Sequence, residues 1–131
     1  MRSIILAAVT AITLLTSLGA SAVCADDDIL LSGQFRGVSG HQTNGDVSVR
    51  ETADGKVVVL EESFSFDGAP DPKLGFGKDG SYDKGSQFSA LGCNSGRQVY
   101  KLPADVDPAA YNQVYVWCER YSVPLGVADL N

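Results

Sequence analysis

Residues 113–119 read Gln-Val-Tyr-Val-Trp-Cys-Glu, and no other stretch constrains the fold of this chain as tightly. The two-residue period puts Val114, Val116 and Cys118 on one face of an extended strand, and Tyr115, Trp117 and Glu119 on the other. Bulky groups on both faces suit a central strand with packing on each side, so the core expected around it is β-rich. Val114, Val116, Trp117, Phe64 and Phe35 are its expected buried members.

The rest of the chain supports that class. Leu30–Phe35 is a short extended piece broken at Gly33, and Val47 and Val49 share one face of the alternation in 45–50. Asp54-Gly55 in Ala53-Asp54-Gly55-Lys56 is the sharpest hairpin signal, because Asp-Gly readily takes the left-handed positions of a type I′ turn. Val57–Glu61 is the partner strand, and Phe64 and Phe66 continue the alternation. Pro70 and Pro72 make 68–72 a turn or irregular segment. A short strand at Leu74–Phe76, an exposed polar loop at 78–86 and a strand at 97–102 follow. Asp107 before Pro108 caps a single helical turn, since proline suits the first helical position. Residues 121–130 supply the last alternation. About seven or eight short strands, fourteen glycines and no long helical period predict a mainly β fold: a small β-sandwich or a barrel-like domain.

The N-terminus reads as an export signal. Arg2 precedes a largely apolar run through Leu18; small residues end at Ala25, and Asp26-Asp27-Asp28 follows. Cleavage after Ala25 is the preferred reading and cleavage after Ala22 the second. An uncleaved anchor and a lipid-modified Cys24 are weaker alternatives. The expected organisation is a signal peptide at 1–25 and one β-rich domain at 26–131, with no transmembrane segment after cleavage and a secreted or periplasmic location. The chain carries sixteen acidic against ten basic side chains, a net charge of −6, and the leader removes only Arg2. That balance argues against a nucleic-acid partner.

Few residues stand out for chemistry. The glycines at 37, 40 and 45 lead into a β alternation and do not form a phosphate cradle. His41 has no defined serine or acid partner, so it reads as a turn or surface residue. No metal site is expected: Asp105, Asp107 and the run 26–28 lack the pattern of a dedicated calcium loop. Cleavage leaves Cys93 and Cys118 as an even pair in an oxidising compartment, which predicts a disulfide. If the 97–102 and 113–119 strands are antiparallel neighbours, Gln98 lies opposite Cys118 and Cys93 a short loop away. Closure would then stabilise the domain by about 3–4 kcal/mol. The other reading of Trp117-Cys118-Glu119 is a redox thiol, or a ligand to a prosthetic group, on a rigid strand. No C-x-x-C-H haem attachment signal accompanies it.

Several stretches carry a resemblance. They are 33–35, 41–47 (His-Gln-Thr-Asn-Gly-Asp-Val), 60–64, 68–71 (Gly-Ala-Pro-Asp), 96–103 (Gly-Arg-Gln-Val-Tyr-Lys-Leu-Pro), and Tyr111 with 114–128. Together these resemble the DM thirteen electron-transfer family, small secreted or cell-surface modules found beside DOMON domains. The resemblance implies a β-rich extracytoplasmic electron-transfer or thiol-redox accessory module. In it Cys118 matches the signature cysteine, acting as a thiol or through a bound group such as haem. Trp117, Glu119, His41 and Asp71 would support it, and the partner would be an extracytoplasmic redox or envelope protein. Cys93 is an addition to that pattern. The competing reading is a non-catalytic structural or protein-binding module of the envelope, stapled by a Cys93–Cys118 disulfide.

Overall fold

The computed structural model describes residues 27–131; the expected signal peptide lies outside the described residues. Eleven strands follow in chain order: β1 (Asp28–Gly37), β2 (Thr43–Asn44), β3 (Asp46–Thr52), β4 (Gly55–Leu60), β5 (Ser65–Phe66), β6 (Pro72–Lys78), β7 (Ser81–Tyr82), β8 (Ser89–Ala90), β9 (Gln98–Lys101), β10 (Gln113–Cys118) and β11 (Val123–Asp129). Nine of them form one sheet in the order β7-β6-β10-β11-β1-β3-β4-β9, with β8 also pairing with β6; β2 and β5 form a separate two-stranded ladder. All the ladders are antiparallel.

The sheet curls into a small mainly β, barrel-like fold around one core. Val114, Val116 and Cys118 of β10 point into it, with Val47, Val49, Val58, Leu60, Leu74 and Phe76 from strands on either side. Phe35 meets Phe64 edge-on at 5.5 Å, and Phe76 lies between Phe88 and Tyr111. The segment after β8 reaches across the gap between the sheet's two ends. Leu91 N–H donates to Pro72 O at the start of β6, while Gly92 N–H donates to the Tyr100 hydroxyl on β9. Backbone groups of an open sheet edge need partners, and Leu91 supplies one to Pro72 O.

Three expectations change. First, β9 and β10 are not neighbours. β9 pairs with β4, Gln98 opposite Leu60, whereas β10 lies between β6 and β11. Cys118 therefore has Pro72 and Val123 as ladder partners, not Gln98, and the pairing that would have brought Cys93 beside it does not exist. Cys93 sits in an exposed loop, Cys118 is buried, and both are free thiols; the expected disulfide is absent. Second, the β3–β4 hairpin closes at Thr52 opposite Gly55, so Ala53-Asp54 forms its tip. Gly55 alone takes the positive φ, 116°, which describes an ordinary turn followed by a left-handed glycine and not type I′. Third, residues 78–86 are more than an exposed loop. They contain β7 and a 3-10 turn at Lys84–Ser86, whose buried Ser86 hydroxyl donates to Phe76 O and accepts from Phe76 N–H. The other 3-10 turn, Pro108–Ala110, has the expected Asp107 cap accepting from Ala109 N–H.

Candidate functional site

Strand direction collects the singled-out residues at one end of the barrel. Cys118 ends β10 opposite Pro72, where β6 begins, and Val123, where β11 begins. The pairs Gly37–Gly126, Val47–Leu60 and Leu60–Gln98 carry the same end across to β9. The turns after β1, β4 and β10, and the segments before β6 and β9, therefore open on one side. They hold His41, Asp71, Cys93 and Glu119, with Trp117 just inside on the outer face.

Cys118 is 1% exposed. Its thiol donates to the Pro70 carbonyl, with S and O 3.3 Å apart. Pro70 belongs to the segment Asp67–Asp71, which joins β5 to β6 without a ladder of its own. Two anchors hold this segment. At its start Asp67 N–H donates to Gln42 O, and the Asp67 carboxylate accepts from Gln42 N–H at 3.1 Å and faces His41 Nδ1 at 2.9 Å. At its end Asp71 O accepts from Glu119 N–H, and the Asp71 carboxylate pairs with Lys73 at 3.0 Å. Asp71 itself takes a left-handed φ of 49°, where the chain turns into β6. The Gln42 amide first, and the His41 ring second, hold the Asp67 carboxyl below its ordinary value, because both favour its charged form.

The outer face next to Cys118 is aromatic. Trp117 is half-buried, less fully covered than the other four expected core residues, which are buried. The reason is register. Trp117 alternates with the inward Cys118, and a flat aromatic neighbour covers it in place of a second layer. Its ring stacks on Tyr82, centroids 4.2 Å apart and planes at 12°, and Tyr82 meets Tyr115 edge-on at 5.5 Å. Two glycines of β6 make the room. A Cβ on Gly75 would lie 2.7 Å from the Tyr82 hydroxyl oxygen, and one on Gly77 would lie 2.5 Å from the Tyr115 ring. Burial, with the negative charges of Glu119 and Asp83, pushes the Tyr82 phenol up to about 12. Glu119 pairs through one oxygen with Lys84 at 2.8 Å, while its buried second oxygen has no hydrogen-bond partner.

The structure thus brings Cys118, Asp71, Glu119 and Trp117 together on β10 and the segment facing it. His41 joins them only through Asp67. Cys93 stays apart, its backbone N–H and C=O both bonded to the Gln98 side chain. Asp67, Pro70 and Tyr82 were missed. A backbone carbonyl has no sequence signal, and Tyr82 stood alone in a polar run with nothing to mark its stacking partner.

A haem ligated by Cys118 does not fit this arrangement. The sulfur faces packed side chains and a carbonyl, whereas a macrocycle needs an apolar pocket beside its axial ligand. A cleft of about 400 Å³ lies at the opposite end, around Asp54, Lys56, Lys101 and Pro103, and another of about 210 Å³ lies between Leu31 and Pro108. Among the described residues no three metal-ligating side chains converge, and no helix is long and apolar enough to cross a membrane.

This end therefore holds two free thiols, Cys118 shielded from solvent at the end of a central strand and Cys93 exposed in a loop. No curated protein and no solved structure matches the chain. The family model described as Electron transfer DM13 matches residues 34–130, most of the chain and all of the barrel after the first part of β1, and the chain belongs to that family.

Proposed function

We propose that this domain is an exported electron-transfer module whose working group is the Cys118 thiol, exchanging electrons with a redox protein of the cell envelope. Membership of the electron-transfer family supports the general role. The observation that carries the cysteine-centred reading is the placement of Cys118: a free thiol at a barrel end, under a segment without ladder bonds. The apolar run before Asp26 supports export.

The chemistry that suits a lone thiol is exchange with a partner's disulfide. Cys118 loses its proton to water, and its sulfur attacks one sulfur of the partner's bond. A mixed disulfide forms and the partner's other sulfur leaves as thiolate. A second thiol of the partner system then attacks the mixed disulfide, forms a new S–S bond and restores Cys118. Electrons balance across the two steps without any group the domain lacks.

Incubation of the exported protein with oxidised glutathione, followed by intact mass analysis, tests this. A Cys93→Ser variant should acquire one glutathione and a Cys93→Ser/Cys118→Ser variant none. A Cys93→Ser protein that stays unmodified while folded would overturn the thiol-exchange reading. The burial of Cys118 favours a second reading, a non-catalytic binding module of the envelope in which the cysteine only fills the core.

A further inference from the structure

A thiol that is 1% exposed cannot be reached by a disulfide while the domain keeps this arrangement. Its inner side is packed core, and β6 and β11 flank its backbone through ladder bonds. On the barrel-end side the thiol meets Asp67–Asp71. Ala69 of this segment packs on the core, and Pro70 supplies the carbonyl that holds the thiol. The segment's backbone–backbone bonds lie only at its two ends, Asp67 N–H to Gln42 O and Glu119 N–H to Asp71 O, so Gly68–Pro70 can leave the barrel end without unzipping a strand ladder.

We propose that Asp67–Asp71 is a hinged strap over Cys118, and that His41 and Asp67 form the latch that keeps it shut. The proposal rests on the reading of Cys118 as the working thiol. The latch is built from both strands of a small crossing. The Asp67 carboxylate receives the Gln42 amide and faces His41 Nδ1, and Asp67 N–H returns a bond to Gln42 O. The His41 ring also lies against Phe66, centroids 6.0 Å apart, immediately before the strap. Gln42 leads straight into β2, whose Thr43 hydroxyl is buried and donates to Leu125 O. The fixed half of the latch is thereby tied to the barrel, and the moving half begins where β5 ends. His41 and Asp67 are positioning residues: neither contacts the sulfur, and each acts through the Pro70 carbonyl.

The sequence of events is a local opening. The Asp67–His41/Gln42 bonds release, Pro70 O leaves the thiol, and Cys118 becomes accessible from the barrel end. Exposed charge-assisted hydrogen bonds of this kind control such an opening equilibrium by about tenfold.

The test uses the full mature domain carrying Cys93→Ser, labelled at Cys118 with a neutral aromatic disulfide reagent under native conditions. Asp67→Ala and His41→Ala should each speed labelling, about tenfold for Asp67→Ala and less for His41→Ala. His41→Asn should restore the slow rate, because its amide nitrogen falls near the position of Nδ1. The enhanced rate should be almost flat in low urea, since strap opening exposes little surface, whereas labelling through global unfolding rises steeply with urea. Unchanged labelling rates in both variants, or an increase that tracks global unfolding, would overturn the latch. The reading of Cys118 fails separately. If Asp67→Ala labels quickly yet takes up no glutathione, the strap stands and the exchange function falls.

Discussion

Gly75→Ala should reverse its sign with the identity of residue 82. In β6 the glycine backbone is not in the left-handed region, so alanine is conformationally acceptable there and gains about 0.5–1 kcal/mol over glycine from reduced chain entropy. The new methyl, however, lies 2.7–2.8 Å from the Tyr82 hydroxyl oxygen and ring, closer than van der Waals contact allows. Tyr82 must swing out. It then loses its stack on Trp117 and its edge contact with Tyr115, about 1 kcal/mol, and exposes ring area worth about another 1 kcal/mol. The net cost is about 1–1.5 kcal/mol, a fall of roughly 5–10 °C in the midpoint of a domain this size. In a Tyr82→Ala background the three nearest atoms, all of the Tyr82 ring and hydroxyl, are gone, and the same substitution should become neutral or stabilising. Thermal denaturation of the four proteins of the double-mutant cycle measures the reversal. Trp117 is the only tryptophan, so a red shift of its emission in Gly75→Ala reports loss of the Tyr82 cover directly. Equal destabilisation in both backgrounds, with unchanged emission, would refute the argument.

In urea denaturation Phe76→Ala should cost about 3–5 kcal/mol, because Phe76 is fully buried between Phe88 and Tyr111. Trp117→Ala, despite the larger side chain, should cost less, since solvent already reaches one side of the indole. Asp67 contributes a pH dependence of definite sign. Its folded-state carboxyl sits below its ordinary value, so the stability it adds is fully present above that ordinary value and is lost as pH falls through the lowered one. The gap in urea midpoint between the unaltered domain and Asp67→Asn should therefore be widest near neutrality and close in acid.

Local pattern determined a good deal of this protein. Alternation in 113–118 identified the central strand and assigned Val114, Val116 and Cys118 to the inside. The Asp107-Pro108 pair marked a turn of helix, and Asp54-Gly55 marked a hairpin. These features depend on side-chain period and on φ preferences, which act over a few residues. The same period put Trp117 on the opposite face but left its cover open, because alternation says which face a residue takes and not what covers that face. Here the cover is Tyr82, held flat by the absence of a side chain at Gly75.

Strand order lay beyond such signals. Nothing local distinguishes β9 beside β10 from β9 beside β4, since either pairing satisfies the same alternating faces and the same backbone groups. The choice is made by the packing of the whole sheet, and it separated Cys93 from Cys118 and removed the disulfide. The shared barrel end has the same origin. His41, Asp71 and Cys118 stand far apart in sequence, and only the antiparallel ladders bring their turns to one side. The chain by itself determined that it would be β, which faces would be apolar and where it would turn. The tertiary structure alone decided which strands met, because that outcome rests on contacts between residues whose local preferences are indifferent to one another.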